Sequence, residues 1–379
     1  MKFSEFEKKK ELPPSPEPAK SDAAPPPRPP LFSPKLPPAE PKRGVLAPSA
    51  AHFSAPPSLA AQRQSAHKAY GRAVAAIRAL LKDIERQAPH PNGEVSACVN
   101  EMLKLLQEGN QALVAMTAHS TASSYLYAHS VNTAILSMHV AIGMGWEHDA
   151  LVLLGLSALF NDIGMIKYLG LTQKPRALTR EEFEEVQLHP VESQRLLEFI
   201  HDIEQTTKQA ISDIIGQERG RKAGKGYPRG FSKAEDLRLA SQIIGLCDIF
   251  EAMSHPRSWR EAILPSDAVK DLIKKHSEDF SRPLMQAFLE RVSLFPPGSY
   301  LQLSAGEIAC VVAANAKFPT RPVVEVRLAA DRSPQDPPTV INLAENPLIH
   351  ILRPVDETKI GIKDKKLAMA LQAARWWIE

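Results

Sequence analysis

The sequence predicts a mainly α-helical protein with a few short C-terminal β-strands and a disordered, proline-rich N-terminus. Residues 11–60 contain 16 of the 33 prolines of this 379-residue chain, and such a segment cannot form a regular hydrogen-bonded ladder or an apolar face. Helical periodicity with little strand alternation continues to about Phe295. After FPPGSYLQLS, β-branched residues alternate in IACVVAAN and VVEVRL, each bounded by proline, which predicts short strands.

Two helices are predicted ahead of the main helical domain. The first carries an apolar stripe at spacings of three and four, and the segment APHPNG ends it. The second runs from about Glu94 to His119 with a similar stripe. The first stripe consists of Tyr70, Val74, Ile77, Leu81 and Ile84, and the second of Val95, Val99, Met102, Leu106 and Leu113.

Changes in composition divide the chain into four segments. They are a disordered tether at 1–63, an N-terminal helical region at 64–120, the main domain at 121–321, and short strands with a C-terminal helix at 322–379. Thr179 before Glu181 and Glu182, and Ser266-Asp267 before AVKDLIKKH, are typical of helix N-termini. Residues 364–379 are predicted to form the last helix, which ends near Trp376-Trp377.

The composition excludes several classes of protein. A net charge of +3 from 46 basic and 43 acidic side chains gives too weak a field to predict nucleic-acid binding. Cys98, Cys247 and Cys310 lie far apart without CxxC spacing, which is typical of core thiols in a reducing compartment. The N-terminus lacks an apolar leader, and the longest apolar run, ALVLLGLSALF, is short for a membrane span. We therefore expect a cytoplasmic protein with no membrane span.

Four polar residues occur inside or at the end of apolar helical runs. His129, Asp162, His189 and Asp248 would each cost a few kcal/mol to bury without a partner. A core histidine satisfied by a hydrogen bond, or an aspartate that caps a helix, explains any one of them. Together, two imidazoles and two carboxylates in a helical core predict a site for Mn, Fe or Mg.

The glycine-rich stretch IIGQERGRKAGKGYPRGF at 214–231 raises a second question. Glycine-rich backbone next to lysine is typical of phosphate loops. The spacing does not fit such a loop, because Arg219 stands five residues before Gly224 and Gly226 follows Lys225. A basic surface loop is the simpler interpretation of this stretch alone.

Several blocks between about Tyr125 and Arg321 resemble the HD-GYP family, a branch of the HD-domain metal-dependent phosphohydrolases that cleaves cyclic di-GMP. The blocks are YLYAHSVNTAIL, ALFNDIGMIKY, QKPRALTREEFEEVQLHPVES, GYPRG, RLASQIIGLCDIFEAMSHPRSWREA and FPPGSYLQLSAGEIACVV, in the order of the family. The resemblance implies an HD-domain helical bundle whose GYPRG segment faces the ligand.

The resemblance also implies that part of the metal centre is lost. His129, Asp162, His189 and Asp248 match the family's ligands, but Asn161 replaces the histidine of its His-Asp pair. Two further ligand histidines correspond to Gly216 and Gln217, and no histidine occurs between His201 and His255. Met165 replaces a phosphate-facing lysine, and nearby Lys167 would point away from that position on a helix.

By the family pattern, the first ion would retain His129, Asp162 and Asp248, with only a neutral carbonyl oxygen from Asn161. The second ion would retain Asp162 and His189 alone. The expected cofactor is therefore none, or one weakly held Fe, Mn or Mg ion. Because two-metal hydrolysis uses both ions to neutralise developing charge, we expect slow or absent turnover.

Recognition of a nucleotide could survive this loss. The resemblance places several residues near the ligand, although basic side chains among them could equally be solvated at the rim of the site. These candidates are Lys174, Arg219, Arg221, Lys225, Gly226, Tyr227, Pro228, Arg257 and Arg260. His139, His201, His255 and His276 match no role in the family pattern.

The leading hypothesis is a degenerate HD-GYP-like protein of cyclic-dinucleotide signalling, a catalytically impaired binding or scaffolding component. Its ligand would be cyclic di-GMP, and protein partners would bind through residues 1–120. The alternative is a weakly active phosphodiesterase or phosphohydrolase that uses a single ion. A third interpretation keeps only a fold for protein contacts, with no nucleotide.

Overall fold

The computed structural model describes residues 58–118, 125–221, 226–227, 238–258, 260–315, 317–356 and 359–360. The chain divides into two units, Met1–Ala51 and His52–Glu379, and all the described residues belong to the second. Most of the predicted tether and the predicted helix at 364–379 lie outside the described residues.

The described part of the second unit is mainly α-helical, as predicted. Its helices are α1 Leu59–Glu85, α2 Gly93–Gln107, α3 Gln111–Met116, α4 Tyr125–Gly143, α5 His148–Phe160, α6 Leu169–Thr172, α7 Arg180–Val186, α8 His189–Leu196, α9 Gln205–Glu218, α10 Leu239–Ser254, α11 Pro265–His276 and α12 Arg282–Val292. Two 3₁₀ helices, Ile163–Tyr168 and Leu197–Phe199, and a two-residue parallel pairing of β1 (His90–Pro91) with β2 (Ile200–His201) complete this region.

The N-terminal helical region contains three helices where two were predicted. Both predicted apolar stripes are buried, and the APHPNG segment separates α1 from α2 as expected. The predicted helix from Glu94 to His119 is wrong as a single element, because α2 ends at Gln107. Gly109 then adopts a positive φ of 77°, and the side chain of Asn110 accepts a hydrogen bond from the Leu113 amide, which starts α3.

Helix α4 is the centre of the core. Its residues from Ala128 to Ala141 are all buried, and it packs on α1, α5, α10 and α12. A helix that is covered on every side does not need one polar face, which explains its nearly continuous apolar sequence. Polar side chains on such a helix must find partners inside the protein.

The predicted helix starts had different outcomes. Thr179 and Glu182 form a capping box at α7, with each side chain bonded to the other residue's backbone amide. Ser266-Asp267 does not cap α11, because Leu264 is the N-cap residue and Pro265 occupies the first turn. Proline suits this position, where a backbone N–H has no helical partner.

The C-terminal strands form one antiparallel sheet with the order β6-β5-β4-β3-β7. Its strands are β3 Tyr300–Leu303, β4 Ile308–Ala313, β5 Val323–Leu328, β6 Pro334–Asn342 and β7 Ile351–Val355. The two predicted strands are β4 and β5. Both edge strands contain proline, which fits the edge of a sheet where a missing N–H leaves no ladder bond broken. The domain boundary predicted at residue 321 falls between β4 and β5, which pair with each other.

By length and composition, the stretch His148–Thr172 could cross a membrane, although the apolar run within it, ALVLLGLSALF, was predicted to be too short for a span. In the structure, 67% of its apolar window is buried inside the protein, and α5, a 3₁₀ helix and α6 divide it. These features are those of a core helix.

A candidate metal site with an arginine in it

Three helices bring one histidine and two aspartates together. His129 lies in the first turns of α4, Asp162 directly follows the end of α5, and Asp248 lies in the middle of α10. All three are buried, and each offers a ligand atom within 4.8 Å of the others. The structure thus assembles three of the four metal-ligand positions predicted from sequence.

The contacts within this cluster are close, but they are not hydrogen bonds. Nε2 of His129 lies 2.9 Å from Oδ1 of Asp248 and 3.2 Å from Oδ2 of Asp162. Despite these distances, Nε2 has no hydrogen-bond partner in the described part of the chain. Ligands of one metal ion direct their lone pairs to a common point and not at each other, and this geometry fits that arrangement.

His189, the fourth predicted ligand, also faces Asp162. Its Nδ1 is 2.8 Å from the carbonyl oxygen of Val186, so the Nδ1–H tautomer leaves Nε2 free to accept. Nε2 is 3.1 Å from Oδ1 of Asp162 and has no hydrogen-bond partner among the described residues. The two oxygens of Asp162 therefore face different imidazoles, as expected of a carboxylate between two ligand sets.

Glu251 orients His129 by contacting Nδ1, the ring nitrogen that does not face the aspartates. This role of Glu251 was not predicted from the sequence. Its Oε2 lies 2.5 Å from Nδ1 of His129, and its Oε1 accepts from Nδ2 of Asn132 at 3.0 Å. Tyr70 in turn donates to Oδ1 of Asn132. His255, also without a predicted role, places Nδ1 3.2 Å from Oε1 of Glu251. The sequence signal that could have predicted this role is the spacing of Glu251, which follows the ligand candidate Asp248 by three residues on the same helix.

The surrounding carboxylates determine the charge of His129. Burial alone would lower the pKa of His129, but Glu251, Asp162 and Asp248 outweigh it and raise this pKa well above its usual value. Burial likewise would raise the pKa of Glu251, but His255 and His129 hold that pKa below its usual range. The pair is therefore a protonated imidazole against an ionised carboxylate, and a metal ion would have to displace the proton on Nε2 to bind there.

Arg219, predicted as a contact for the ligand, lies inside the cluster. Its Nη2 donates to Oδ1 of Asp162 at 2.9 Å, and its Nη1 donates to Oδ2 of Asp248. Burial raises the pKa of both aspartates, but Arg219 is the largest of the opposing influences, and both pKa values end below their usual range. The guanidinium is thus a permanent cation that holds both carboxylates ionised.

Glu218 lies next to this arginine. Its Oε2 is 2.7 Å from Nε of Arg219, while its buried Oε1 has no hydrogen-bond partner within the described residues. Burial raises the pKa of this carboxyl to about 7, against the opposing effect of Arg219. The site therefore contains an acid that titrates near neutral pH.

The positions at which family ligands are replaced do not supply imidazoles. Oδ1 of Asn161 is buried without a hydrogen-bond partner in the described segments, and its Nδ2 lies 3.4 Å from Oδ1 of Asp162. A side chain at Gly216 would start 2.6 Å from Nε2 of Gln194. Oε1 of Gln217 accepts from the Arg238 amide at the start of α10. Positions 216 and 217 therefore make contacts on other helices.

Met165 is half-buried on the 3₁₀ helix, where the resemblance implied a phosphate-facing lysine. Lys167 pairs with Glu192 of α8. This contact agrees with the expectation that Lys167 does not replace the missing lysine.

The remaining ligand candidates fall into two groups. Tyr227 and Arg257 are near the cluster: the Tyr227 ring meets His189 edge-on with centroids 6.0 Å apart, and the Arg257 guanidinium lies 3.6 Å above the Tyr125 ring. Gly226 forms a bridge with Gly220. The other described candidates have partners within the protein. Lys174 pairs with Glu182. The guanidinium of Arg221 donates to the backbone carbonyls of Glu218 and Gly220, and that of Arg260 donates to the backbone carbonyls of Ala252 and Met253. Lys225 and Pro228 lie outside the described residues.

Comparison with known proteins gives the class of the chain. Residues 102–282 match the family model of the HD domain, and residues 300–363 match that of a KOW domain associated with the HD domain. The chain therefore contains an HD domain, and the helices α4, α5, α8 and α10 that carry the cluster lie within the matched range.

The chain is also similar to curated phosphodiesterases of cyclic dinucleotides. It is 25% identical over 203 residues to the cyclic di-GMP phosphodiesterase PdeB of Borreliella burgdorferi, a match that covers 53% of this chain and 52% of PdeB. It is 27% identical over 186 residues to the 3'3'-cGAMP-specific phosphodiesterase 1 of Vibrio cholerae, with 49% and 41% covered. The chain spans about half or less of the length of these relatives. The resemblance to the HD-GYP branch is confirmed.

Two solved structures align with part of the chain. The HDG"Y"P protein Bd1817 from Bdellovibrio bacteriovorus aligns with a TM-score of 0.43 and 18% identity, over 61% of this chain and 68% of Bd1817. The HD domain of phosphodiesterase PgpH from L. monocytogenes aligns with a TM-score of 0.32 and 17% identity, over 44% of this chain and 89% of that one.

The side chains fit one metal ion better than two. His129, Asp162 and Asp248 supply one nitrogen and two carboxylates whose ligand atoms lie within 4.8 Å of one another, a set that suits Mn, Fe or Mg. On the other side of Asp162, the described residues supply His189 and the guanidinium of Arg219. A guanidinium repels a metal ion, so the second half of the centre does not fit a second ion.

Proposed function

We propose that this protein is a catalytically impaired HD-GYP-like component of cyclic-dinucleotide signalling that binds its nucleotide without efficient hydrolysis. The proposal rests on the residues found where a second metal ion would bind in an active relative. There Asp162 faces one histidine and an arginine, while positions 216 and 217 contact other helices.

The chemistry explains why hydrolysis would suffer. In two-metal phosphodiester cleavage the ions activate a water and neutralise charge on the phosphate. Here His129, Asp162 and Asp248 would hold one ion, Glu251 fixes the orientation of His129, and Arg219 neutralises charge on both aspartates. Each 1.4 kcal/mol of lost transition-state stabilisation is about tenfold in rate.

Nucleotide recognition would use groups around the cluster. Arg257, stacked on Tyr125, brings a positive charge near the cluster, and Tyr227 presents an aromatic ring next to His189. Phosphate oxygens and purine rings are suitable partners for such groups. The relatives act on cyclic di-GMP and on 3'3'-cGAMP by name, so both are ligands to test. Protein partners through residues 1–120 and a cytoplasmic location belong to the same proposal.

The rival function is weak hydrolysis with a single ion. It is favoured by the ready-made donor set of His129, Asp162 and Asp248. The ion bound there would act as a Lewis acid on a phosphate oxygen.

One experiment separates the two functions. The purified full-length chain, incubated with Mn²⁺ or with Fe²⁺ under low oxygen, is titrated with cyclic di-GMP and 3'3'-cGAMP by calorimetry and assayed for hydrolysis. We expect saturable binding of at least one nucleotide and turnover at least about 1000-fold below that of an active two-metal relative assayed alongside.

The control is His129→Ala. Substantial hydrolysis that disappears in this variant would establish the rival function. If neither nucleotide produced heat on titration, the binding proposal would be refuted. The remaining interpretation would be a fold that serves only for contacts with other proteins.

A further inference from the structure

Arg219 is held in place by contacts that a mobile surface side chain would not have. Its side chain is 13% exposed, and its carbonyl oxygen accepts from the Tyr227 amide. Gly226 has a φ of 99°, and a Cβ there would lie 2.0 Å from this same carbonyl oxygen. Gly226 and Tyr227 therefore pack directly on the backbone of Arg219, and only glycine fits at position 226.

Helix packing brings this arginine to the aspartates. At Gly245, one turn before Asp248, a Cβ would lie 2.6 Å from the carbonyl oxygen of Glu218. The end of α9 thus meets the backbone of α10 at van der Waals contact. This close approach sets the start of the Arg219 side chain beside Asp248 and next to Glu218.

The guanidinium and His129 share the two aspartates and overlap at one carboxylate oxygen, Oδ1 of Asp248. His129 faces Oδ2 of Asp162 and Oδ1 of Asp248. Arg219 donates to Oδ1 of Asp162 and to Oδ2 of Asp248, and its Nη2 makes a longer contact of 3.4 Å with Oδ1 of Asp248. His189 faces that same Oδ1 of Asp162, so the guanidinium lies on the His189 side of the carboxylate.

Charge balance explains why such a cation is retained. Two ionised aspartates in a buried pocket are expensive unless positive charge compensates them. In a two-metal centre the ions provide that charge. Here a planar guanidinium with parallel N–H donors can bridge two carboxylates, which the compact ammonium of lysine does less well.

We infer that Arg219 is an internal cation that takes the place of the second metal ion: it keeps the pocket assembled without metal and excludes a second ion from the His189 side of Asp162. The inference rests on the proposed function, because it explains how the fold persists after the loss of the ligand histidines. It assigns Arg219 a role in the protein's own architecture and not primarily in nucleotide contact.

The test measures metal binding without nucleotide. The dialysed full-length chain and the variant Arg219→Met are titrated with Mn²⁺, with free Mn²⁺ followed by electron paramagnetic resonance and thermal unfolding recorded with and without chelator. Methionine preserves much of the length and removes the charge. We expect Arg219→Met to bind Mn²⁺ at least roughly tenfold more tightly, because a nearby positive charge is gone. Its melting temperature should become dependent on Mn²⁺.

The matched control is Arg221→Met. Arg221 comes from the same segment and is also largely buried, but its guanidinium donates to the backbone carbonyls of Glu218 and Gly220. We expect this variant to bind Mn²⁺ as the wild type does. Equal Mn²⁺ affinity in wild type and Arg219→Met would overturn the inference. Arg219 would then only form structural ion pairs with Asp162 and Asp248.

Arg219→Lys decides the question if Arg219→Met does not fold even with Mn²⁺. Lysine keeps one charge but cannot bridge both aspartates with a planar fork. We expect Mn²⁺ binding at least about threefold tighter than in wild type, since the bridge is lost, and unchanged binding would again contradict the inference. Nucleotide titration of the wild type tests the proposed function separately, so either can fail alone.

Discussion

Glu218 shows how the burial of a single carboxyl affects stability. Its folded-state pKa of about 7 lies above the ordinary value of 4.5, mainly because burial disfavours the charged form. Between those two pH values the folded state binds a proton that the unfolded state has released. The free energy of unfolding contributed by Glu218 therefore falls as pH rises from about 4.5 to about 7.

Glu218→Gln should remove this pH dependence. Glutamine has a similar shape and does not titrate, so the loss of stability between pH 5 and pH 8 should be smaller in the variant by on the order of 1–3 kcal/mol. Urea unfolding of both proteins across this pH range measures the difference. Parallel curves for variant and wild type would show that Glu218 has an ordinary pKa.

The sequence predicted which residues meet at the site better than it predicted what they do there. His129, Asp162, His189 and Asp248 stand out because they interrupt apolar runs, and the structure brings them together. The position of Arg219 could not be predicted in the same way. Its direction depends on the packing of α9 against Gly245 and on the loop at Gly226, which are tertiary contacts with no local sequence signal.

At the scale of elements, the 3₁₀ helix after Asp162 and the start of α8 form one rigid unit. The amide of Gly164 donates to Oγ of Ser193, which donates to the carbonyl of Asn161. A Cβ at Gly164 would lie 2.2 Å from the carbonyl oxygen of His189. This backbone contact determines the separation between Asp162 and His189.

Gly164→Ala should therefore separate these elements. Because the clash is with backbone, it cannot be relieved by a side-chain rotation, and we expect a loss of about 1–3 kcal/mol in the free energy of unfolding. Gly170→Ala is the matched control, because nothing lies within 4 Å of a Cβ there. Chemical unfolding of both variants tests this, and equal stabilities would contradict the tight packing.

Element types were predictable where periodicity is strong, and boundaries were not. The stripes of α1 and α2 follow from apolar spacing, but the end of α2 depends on Gly109 and Asn110, whose effect a window of apolar residues does not register. In the sheet, β4 and β5 have β-branched sequences. β6 contains three prolines and is mostly exposed, so it forms a strand because β5 supplies a ladder, not from its own propensity.

At the scale of the whole molecule, the sheet is attached to the helices by polar as well as apolar contacts. Nη2 of Arg63 in α1 lies 2.6 Å from Oε2 of Glu325 in β5, and the Glu325 side chain is only 5% exposed. Arg327 also pairs with this carboxylate. Near the start of the sheet, Gly298 lies close to the carbonyl oxygen of Ala115 in α3. The helices and the sheet should therefore unfold together.

A double-mutant cycle on Arg63→Ala and Glu325→Gln tests this coupling. Because Glu325 is buried and Arg63 is partly exposed, solvent screens the pair only in part, and we expect a coupling energy of about 1 kcal/mol in urea unfolding. The control cycle uses Arg180 and Glu184, an exposed pair within α7, for which about 0.3 kcal/mol is expected. Unfolding should follow a single transition in every variant. If the Arg63 cycle gave no more coupling than the control, or if Glu325→Gln separated the unfolding into two transitions, the sheet would be an independent unit whose contact with α1 contributes little to stability.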